Sequence, residues 1–593
     1  MGGFFLYRKD ETDIDLDAVR TVFGKKGFAA PRVFDLRKMT LWLYQKQLVS
    51  DPNHVSHEDG VALYATGTVV YKGLTYRDSL RRLLEDYRQE QLDLTALLGN
   101  FCLLFSVNDR IEILTDRLNM HHIFVDDELS RLSTSFLAML ASFSDPVSLN
   151  RLAFYEKIST GYIVGPDTLI SRVQKITPRF QDILQTRRFS FIPHPRGDET
   201  RDVSLCSDGF ESCVEHQLEV LLRCFGQTVA LADEHGADLG LSAGYDSRLA
   251  LLLLRHLGVR LSVHTHHTEG VHETEHRLAQ QVAEACDTEL RVVRTRRIEE
   301  QDEGNLTRLL SDGLYYYDGR NADNSGAFSP TYTREYKRAT LGERRLRFNG
   351  EGGELYRNYY YTSREEFDFS SWMRHHVYYL FAEAVIANAD LRHDVHCHII
   401  RKLSKRLGVD LAGSVDQLTM RRYHGEIRLP DCEGTLANAD NQLAFFMMPF
   451  AEPSVITAAY EATPYIGIDG GFQAALMTRL DATVAAIDSH YGFPFTRQPW
   501  NHQVYAALRG YLPDWFWNIR RRFRVRHRNQ GQSSYDTYVD LRQRSRTIQQ
   551  LEGVLYKYFP ELDWQMAMRS RPQQATVLFL ASLIREFEDQ IRW

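Results

Sequence analysis

The chain has 593 residues, with 71 Lys and Arg against 78 Asp and Glu, so its formal net charge is −7 at pH 7. Hydrophobic residues make up 43% and charged residues 25%, values typical of globular proteins. The length predicts at least two domains. The mild acidity argues against a nucleic-acid binder. Seven scattered cysteines without a CxxC pair, and the lack of an export signal or a long apolar run, predict a cytoplasmic protein without a membrane anchor.

Short β-rich runs dominate the first third of the chain. Residues 61–71, 99–107 and 110–114 are rich in β-branched and aromatic side chains and predict strands, while residues 78–89 have helical periodicity. We therefore expect an α+β domain with antiparallel sheets over residues 1–195. The polar stretch 193–204 (PHPRGDETRDVS) predicts a linker.

Strands and helices alternate after this linker. Strands are predicted at 237–241, 259–264 and 290–293, and helices at 210–224, 248–257 and 273–286. Alternation of this kind predicts βαβ units and a parallel sheet. The second domain, residues 205–593, becomes mostly helical beyond about residue 365, with the clearest helices at 454–462 and 471–487.

The turn that follows the first of these strands carries the clearest chemical signal. It consists of Ser242, Ala243, Gly244, Tyr245, Asp246 and Ser247. Its backbone N–H groups and the N-terminus of the next helix form an anion site, which small residues let a phosphate approach closely. Asp246 would repel phosphate, so we expect it to hold Mg²⁺. No GK[ST] follows, so the turn is not a Walker A loop.

Ser-x-Gly-x-Asp-Ser after a strand resembles the pyrophosphate loop of asparagine synthetases and other ATP pyrophosphatases. The resemblance continues in residues 349–356 (NGEGGELY), which are similar to the family's second acidic, Gly-rich motif. Residues 161–169 and 175–178 resemble the entry to the synthetase domain, and residues 99–101, 115–119 and 133–140 the core of the glutaminase-like domain. The resemblance implies an Ntn-type glutaminase-like sandwich followed by an α/β ATP-pyrophosphatase domain, similar to adenine nucleotide hydrolases, with a helical C-terminal part.

The resemblance also implies an activity. The family adenylates a carboxylate with ATP and Mg²⁺, and ammonia or an amine then gives an amide. Residues 242–247 would bind the nucleotide together with Gly350, Gly352 and Gly353. Asp246 and Glu354 would hold Mg²⁺, and Glu351 would take the proton from the attacking amine.

One departure from the family concerns glutamine. Glutamine-dependent members need a cysteine at the mature N-terminus, whereas position 2 here is Gly and the first cysteine is Cys102. We therefore expect the first domain to be inactive, as in the similar β-lactam synthetases and lasso-peptide cyclases. Free ammonia, a substrate amine or a biosynthetic partner protein would supply the nitrogen.

Three further departures affect the synthetase site. Ala243 stands where the family usually has Gly, and the second motif, with Glu354, is one acid short. The family's late catalytic lysine, which the resemblance places in a helix near residues 470–479, is also missing, because Lys557 is the only lysine after Lys405. Arg479 or Arg497 would then serve as an electrostatic substitute that cannot deliver a proton.

Other readings stay open at this point. The missing lysine suits a degenerate member that binds a nucleotide or a partner without turnover. His272, Glu273 and His276 form HExxH, which would make a zinc hydrolase with Glu299 or Glu300 as a third ligand, although a polar helix start accounts for the same residues. The arginine-rich residues 520–528 could bind pyrophosphate, an acidic glycan or an acidic partner, although a solvated helix face or a subunit contact accounts for them as well. The sequence does not identify the carboxylate substrate, which is a small molecule or a peptide, or the amine that reacts with it. A homodimer is possible, but the sequence does not establish the oligomeric state.

Overall fold

The computed structural model describes residues 2–592 apart from 109, 179–188, 195–202, 269–272, 297–299, 321–330, 332, 361–365, 468–469, 495, 512–515, 517–518 and 520–528. This part of the chain is a mixed α/β protein with a six-stranded antiparallel sheet, a five-stranded mixed sheet, a five-stranded parallel sheet and two two-stranded sheets. None of its helices has the length and apolar character that crossing a membrane requires.

Two sheets form the first part of the chain. Their strands, with the short β10, are β1 (Gly3–Arg8), β2 (Arg32–Leu36), β3 (Met39–Tyr44), β4 (His54–Ser56), β5 (Ala62–Tyr71), β6 (Leu97–Val107), β7 (Arg110–Thr115), β8 (Phe124–Asp126), β9 (Arg131–Ser133), β10 (Val147–Ser148), β11 (Val173–Lys175) and β12 (Phe189–Phe191). The strand orders are β11-β8-β9-β1-β3-β2 and β12-β7-β6-β5-β4. Side chains of both sheets, such as Phe4 and Leu104, share one buried cluster, so the sheets pack on each other.

The strands predicted at 61–71, 99–107 and 110–114 are confirmed as β5, β6 and β7. One pairing differs from the expected antiparallel pattern, because β12 runs parallel to β7. Strand β12 reaches the sheet edge after a long excursion of the chain rather than through a hairpin, so its direction is not set by a tight turn.

The second part is built on a five-stranded parallel sheet. The strands that follow β12 are β13 (Ala237–Gly240), β14 (Leu261–His267), β15 (Leu290–Arg294), β16 (Leu346–Phe348), β17 (Glu366–Asp368), β18 (Ser414–Asp416), β19 (Phe445–Met447) and β20 (Ile591–Arg592). The parallel sheet has the order β15-β14-β13-β16-β19, which confirms the expected parallel pairing of β13, β14 and β15. The chain first builds outward from β13 to β15 and then returns to the other side of β13. The order therefore reverses between β13 and β16, a position where open α/β sheets bind ligands.

The α-helices are Leu16–Lys25, Tyr76–Arg88, Phe136–Ala141, Arg151–Thr160, Phe210–Gly226, Val229–His235, Tyr245–His256, Glu273–Ala285, Glu303–Tyr316, Arg334–Leu341, Phe369–His376, Ala382–Val385, Ala389–Leu407, Gln417–Tyr423, Gly434–Leu443, Pro453–Glu461, Gly471–Leu480, Ala482–Ala485, Trp500–Tyr511, Asn529–Arg544, Arg546–Tyr558, Trp564–Ala567 and Arg571–Glu586. The single helix predicted over 471–487 is wrong. Asp481 has an extended backbone and caps the second helix by accepting hydrogen bonds from the N–H groups of Thr483 and Val484.

Buried polar contacts join the two parts of the chain. Lys26 pairs with Asp318 at 2.6 Å, and both side chains are less than 5% exposed. Asp318 also accepts a hydrogen bond from the N–H of Phe136, at the start of the helix Phe136–Ala141. Lys175 pairs with Asp431 at 2.5 Å in the same manner. In each of these ion pairs, a buried lysine of the first part is neutralised by an aspartate of the second part.

Candidate functional site

Two loops meet at the carboxyl end of the parallel sheet, where the strand order reverses. Residues 242–247 follow β13 and residues 349–354 follow β16. A Cβ atom placed on Gly350 would lie 2.9 Å from the backbone N of Ser247, and one on Gly353 would lie 2.9 Å from Cβ of Asp246. Gly352 has a left-handed backbone with φ of 96°. The glycines of the second loop therefore let it lie directly against the first.

The first loop ends in a helix whose first turn lacks a side-chain cap. The helix Tyr245–His256 begins three residues earlier than predicted, and Gly244 at its N-cap position makes no side-chain hydrogen bond to it. Such an end leaves backbone N–H groups of the first turn for an anion. The hydroxyl oxygens of Ser242 and Ser247 lie 3.0 Å apart beside it. Ala243 is buried and does not have a positive φ, so its methyl group is accommodated in this loop.

Asp246 is the acidic centre of the first loop. Its Oδ2 lies 2.6 Å from Nη2 of Arg357, and its Oδ1 accepts a hydrogen bond of 2.7 Å from Nε2 of Gln473. Burial would lower the pKa of Arg357, but the ion pair with Asp246 raises it above its ordinary value. Asp246 therefore faces a guanidinium group that supplies a counter-charge in the site.

Glu354 is the acidic centre of the second loop. Its Oε1 lies 2.8 Å from Nε2 of His424, and its Oε2 accepts a hydrogen bond of 2.8 Å from the N–H of Gly352. Nδ1 of His424 lies 2.9 Å from the hydroxyl oxygen of Tyr360. Burial alone would raise the pKa of Glu354, but the hydrogen bond from His424 lowers it to about 2. His424 opens the π-helix His424–Glu433, a rare form that occurs frequently at functional sites.

The pKa of Glu351 is shifted in the opposite direction from that of Glu354. Burial raises its pKa well above the ordinary value, and the nearby carboxylates of Glu433 and Glu354 raise it further. Its own backbone N–H donates a 2.6 Å hydrogen bond to Oδ1 of Asn349, which fixes the loop at this residue. Two glutamates three residues apart thus differ in proton affinity, a property expected of an acid–base site.

The two arginines predicted as substitutes for the lysine are not brought into this cluster. Arg479 pairs with Glu211 and, at 2.6 Å, with Glu215 on the helix Phe210–Gly226, and its side chain is 37% exposed. Arg497 is exposed in the chain before the helix Trp500–Tyr511. The helix in which the lysine was expected, Gly471–Leu480, instead directs Gln473 to Asp246.

Sequence reasoning missed Arg357, Gln473 and His424. Arg357 lies three residues after Glu354, and this spacing was the only signal available for it. The other two lie 119 and 70 residues beyond Glu354 in the chain, so only the fold reveals their position. Beside them lies a small cleft lined by Glu354, Arg357, Tyr359, Tyr360 and His424, among others. The three consecutive tyrosines at 315–317 are buried in the core, whereas Tyr359 and Tyr360 line this cleft.

The HExxH segment is described only in part. His272 and Glu299 lie outside the described residues, as do residues 520–528. Oε1 of Glu273 lies 3.2 Å from Nε2 of His267, and the ring of His267 lies 5.0 Å from that of His276. The zinc-hydrolase reading therefore stays a prediction.

No model of a known protein family matches the chain, and no curated protein matches it significantly.

Proposed function

We propose that the chain is an ATP- and Mg²⁺-dependent ligase of the asparagine synthetase type. It adenylates a carboxylate and transfers the acyl group to ammonia or an amine, with release of pyrophosphate and then AMP. In this proposal residues 1–195 are a glutaminase-like Ntn-type sandwich without glutaminase activity, and residues 205–593 are the ATP-pyrophosphatase domain. The observation that carries the proposal is the meeting of an uncapped helix N-terminus with Asp246, Glu351 and Glu354 at the reversal point of a parallel sheet.

The residues at this point suit a nucleotide and a cation in their chemistry. The first-turn N–H groups and the hydroxyls of Ser242 and Ser247 are donors for phosphate oxygens. Asp246 and Glu354 offer the carboxylate oxygens that Mg²⁺ prefers. Asp246 pairs with Arg357, so it would have to release this partner in order to hold the cation, and Arg357 could then face the phosphates.

The chain's own groups then have distinct tasks. The substrate carboxylate oxygen attacks the α-phosphorus of ATP, and the bond to pyrophosphate breaks. Arg357 supplies positive charge to the departing pyrophosphate, which the expected lysine would otherwise provide. The amine nitrogen next attacks the acyl carbon, the bond to AMP breaks, and Glu351 accepts the proton that the amine loses. Burial raises the pKa of Glu351, which makes its carboxylate a stronger proton acceptor than an exposed glutamate.

The substrates remain a set of candidates. Aspartate, a modified peptide, a β-lactam-like precursor and a sugar acid all contain the required carboxylate. The cleft beside Glu354 is lined by tyrosine, arginine and histidine side chains, which suits a polar acceptor.

A second candidate function is nucleotide binding without turnover. It is favoured by the engagement of both Asp246 oxygens with Arg357 and Gln473, together with the absence of lysine from the helix Gly471–Leu480. A protein of this kind would bind ATP but form no adenylate.

The test is pyrophosphate release from ATP and Mg²⁺ in the presence of a pool of carboxylates, with hydroxylamine as the trapping amine. We expect release by the wild type, loss of release in Asp246→Ala, and retention in Arg479→Ala, whose side chain pairs on the protein surface. ATP binding that depends on Asp246 but yields no product would favour the second candidate. ATP binding that neither variant changes, or no binding, would overturn both.

A further inference from the structure

Three potential metal ligands from both parts of the chain meet away from the site described above. Asp51 lies between β3 and β4, while Glu234 and His235 end the helix that precedes β13. One ligand atom of each residue lies within 4.8 Å of the other two. Nε2 of His235 lies 3.4 Å from a carboxylate oxygen of Glu234 and 4.0 Å from one of Asp51. These two distances from Nε2 of His235 are within about 1 Å of the distance between neighbouring ligand atoms of a tetrahedral zinc ion.

The imidazole of His235 faces this cluster without a hydrogen bond. Its side chain is 9% exposed, and Nε2 is a buried atom with no hydrogen-bond partner among the described residues. The ring lies against Phe445, with 4.5 Å between the ring centroids. A neutral imidazole with a free nitrogen is the form that binds transition metals.

Among the residues that the structure describes, the two carboxylates have no lysine or arginine partner. No lysine or arginine of the described chain lies within 4 Å of the Asp51 or Glu234 carboxylate. A second cluster in the protein shows the alternative arrangement. Glu156, Asp167 and His398 are arranged in a similar way, but Nζ of Lys402 lies 2.7 Å from Glu156 and 2.9 Å from Asp167 and neutralises them.

We propose that Asp51, Glu234 and His235 bind a divalent transition cation, with Zn²⁺ as the best match. One imidazole and two carboxylates are ligands that zinc uses, whereas Mg²⁺ prefers oxygen ligands alone. Glu234 is 39% exposed, so water has access to complete the coordination. The cation links the loop after β3 to the helix before β13 and so joins the two parts of the chain. This site is independent of the proposed ligase activity.

The test uses the full-length protein, stripped with a chelator and titrated with Zn²⁺ against a chromophoric competitor, without nucleotide. We expect one Zn²⁺ per chain, confirmed by elemental analysis, and a higher thermal unfolding midpoint with the metal bound. Asp51→Asn and His235→Gln should each weaken binding at least ~10-fold. His398→Gln, in the cluster that Lys402 neutralises, should leave zinc binding unchanged.

Three results would overturn the proposal. The first is no zinc binding by the wild type at micromolar concentrations. The second is wild-type zinc affinity in both Asp51→Asn and His235→Gln. The third concerns the HExxH segment. If His276→Gln alone abolishes binding, zinc is held by the HExxH segment instead, and the proposed site is refuted. Thermal unfolding of each stripped variant confirms that it is folded, and Asp51→Asn, a near-isosteric change in a loop, provides the test if His235→Gln fails to fold.

Discussion

Replacing Gly350 by alanine tests whether the two site loops touch as described. The added Cβ would lie 2.9 Å from N of Ser247 and 3.0 Å from C of Asp246, and both of these are backbone atoms. Ordinary contacts of Cβ atoms begin at 3.4 Å, so the loops must separate by about 0.5 Å. Overpacking of this kind costs about 1–3 kcal/mol of folding free energy. A misplacement of 1 Å can slow an enzyme about 100-fold, so half of that displacement should lower kcat/KM roughly 10-fold.

The assay compares Gly350→Ala with Gly553→Ala. Gly553 lies in the helix Arg546–Tyr558, does not have a positive φ, and has no atom within 4 Å of a Cβ placed on it. The control should therefore be slightly more stable than the wild type, by about 0.5–1 kcal/mol. Denaturant unfolding reports stability, and pyrophosphate release reports the site. Wild-type stability and wild-type pyrophosphate release in Gly350→Ala would show that the loops do not approach each other as described.

Three further predictions concern charge and space. Arg357→Met should lower pyrophosphate release at least ~10-fold, because it removes the cation beside Asp246. The control Arg479→Ala should change pyrophosphate release less than about twofold. Equal effects of the two variants would refute the role proposed for Arg357. Gly2→Cys should not yield glutaminase activity, measured as glutamate release, because a Cβ at position 2 would lie 2.1 Å from Cε1 of Phe28; hydrolysis of glutamine by this variant would contradict the packing. The pKa of Glu354 is lowered from 4.5 to about 2, so the carboxylate stabilises the fold above pH 4.5 and loses this effect as the pH falls towards 2. The stability difference between wild type and Glu354→Gln should therefore be constant from pH 5 to 7 and shrink below pH 4.5, and a difference that grows on acidification would refute the ionised state.

The strand β13 and the helix after it could be predicted because an apolar strand, a small polar turn and an amphipathic helix are local patterns. The parallel sheet followed from the alternation of such patterns. The partners of Asp246 could not be predicted, because Arg357 and Gln473 lie 111 and 227 residues further along the chain. Their meeting depends on the strand order and on where the helix Gly471–Leu480 ends, and the order of strands is not encoded in any one segment.

The expectation for Arg479 shows the same limit of local sequence patterns. Arg479 was a candidate because it places a positive charge near the expected lysine position. A helix has 3.6 residues per turn, however, so residues close in sequence can lie on different sides of it. Arg479 lies six residues after Gln473, which is one and two thirds turns, and therefore on another side of the helix. Sequence distance alone suggested the right helix, while the direction of the side chain was decided by the packing of that helix against Phe210–Gly226.

Asp318 connects the sheets of the first part to the body of the second. It pairs with Lys26, accepts hydrogen bonds from Ser135 and Phe136, and is itself buried. If the gene were split near residue 200, Lys26 and the helix start at Phe136 would lose their counter-charge, and Asp318 would keep only Arg320, at 3.8 Å, as an ion-pair partner. An unpaired buried charge costs several kcal/mol, which is a large share of the stability of a domain. Natural selection can thus keep the first part as a folding partner of the second.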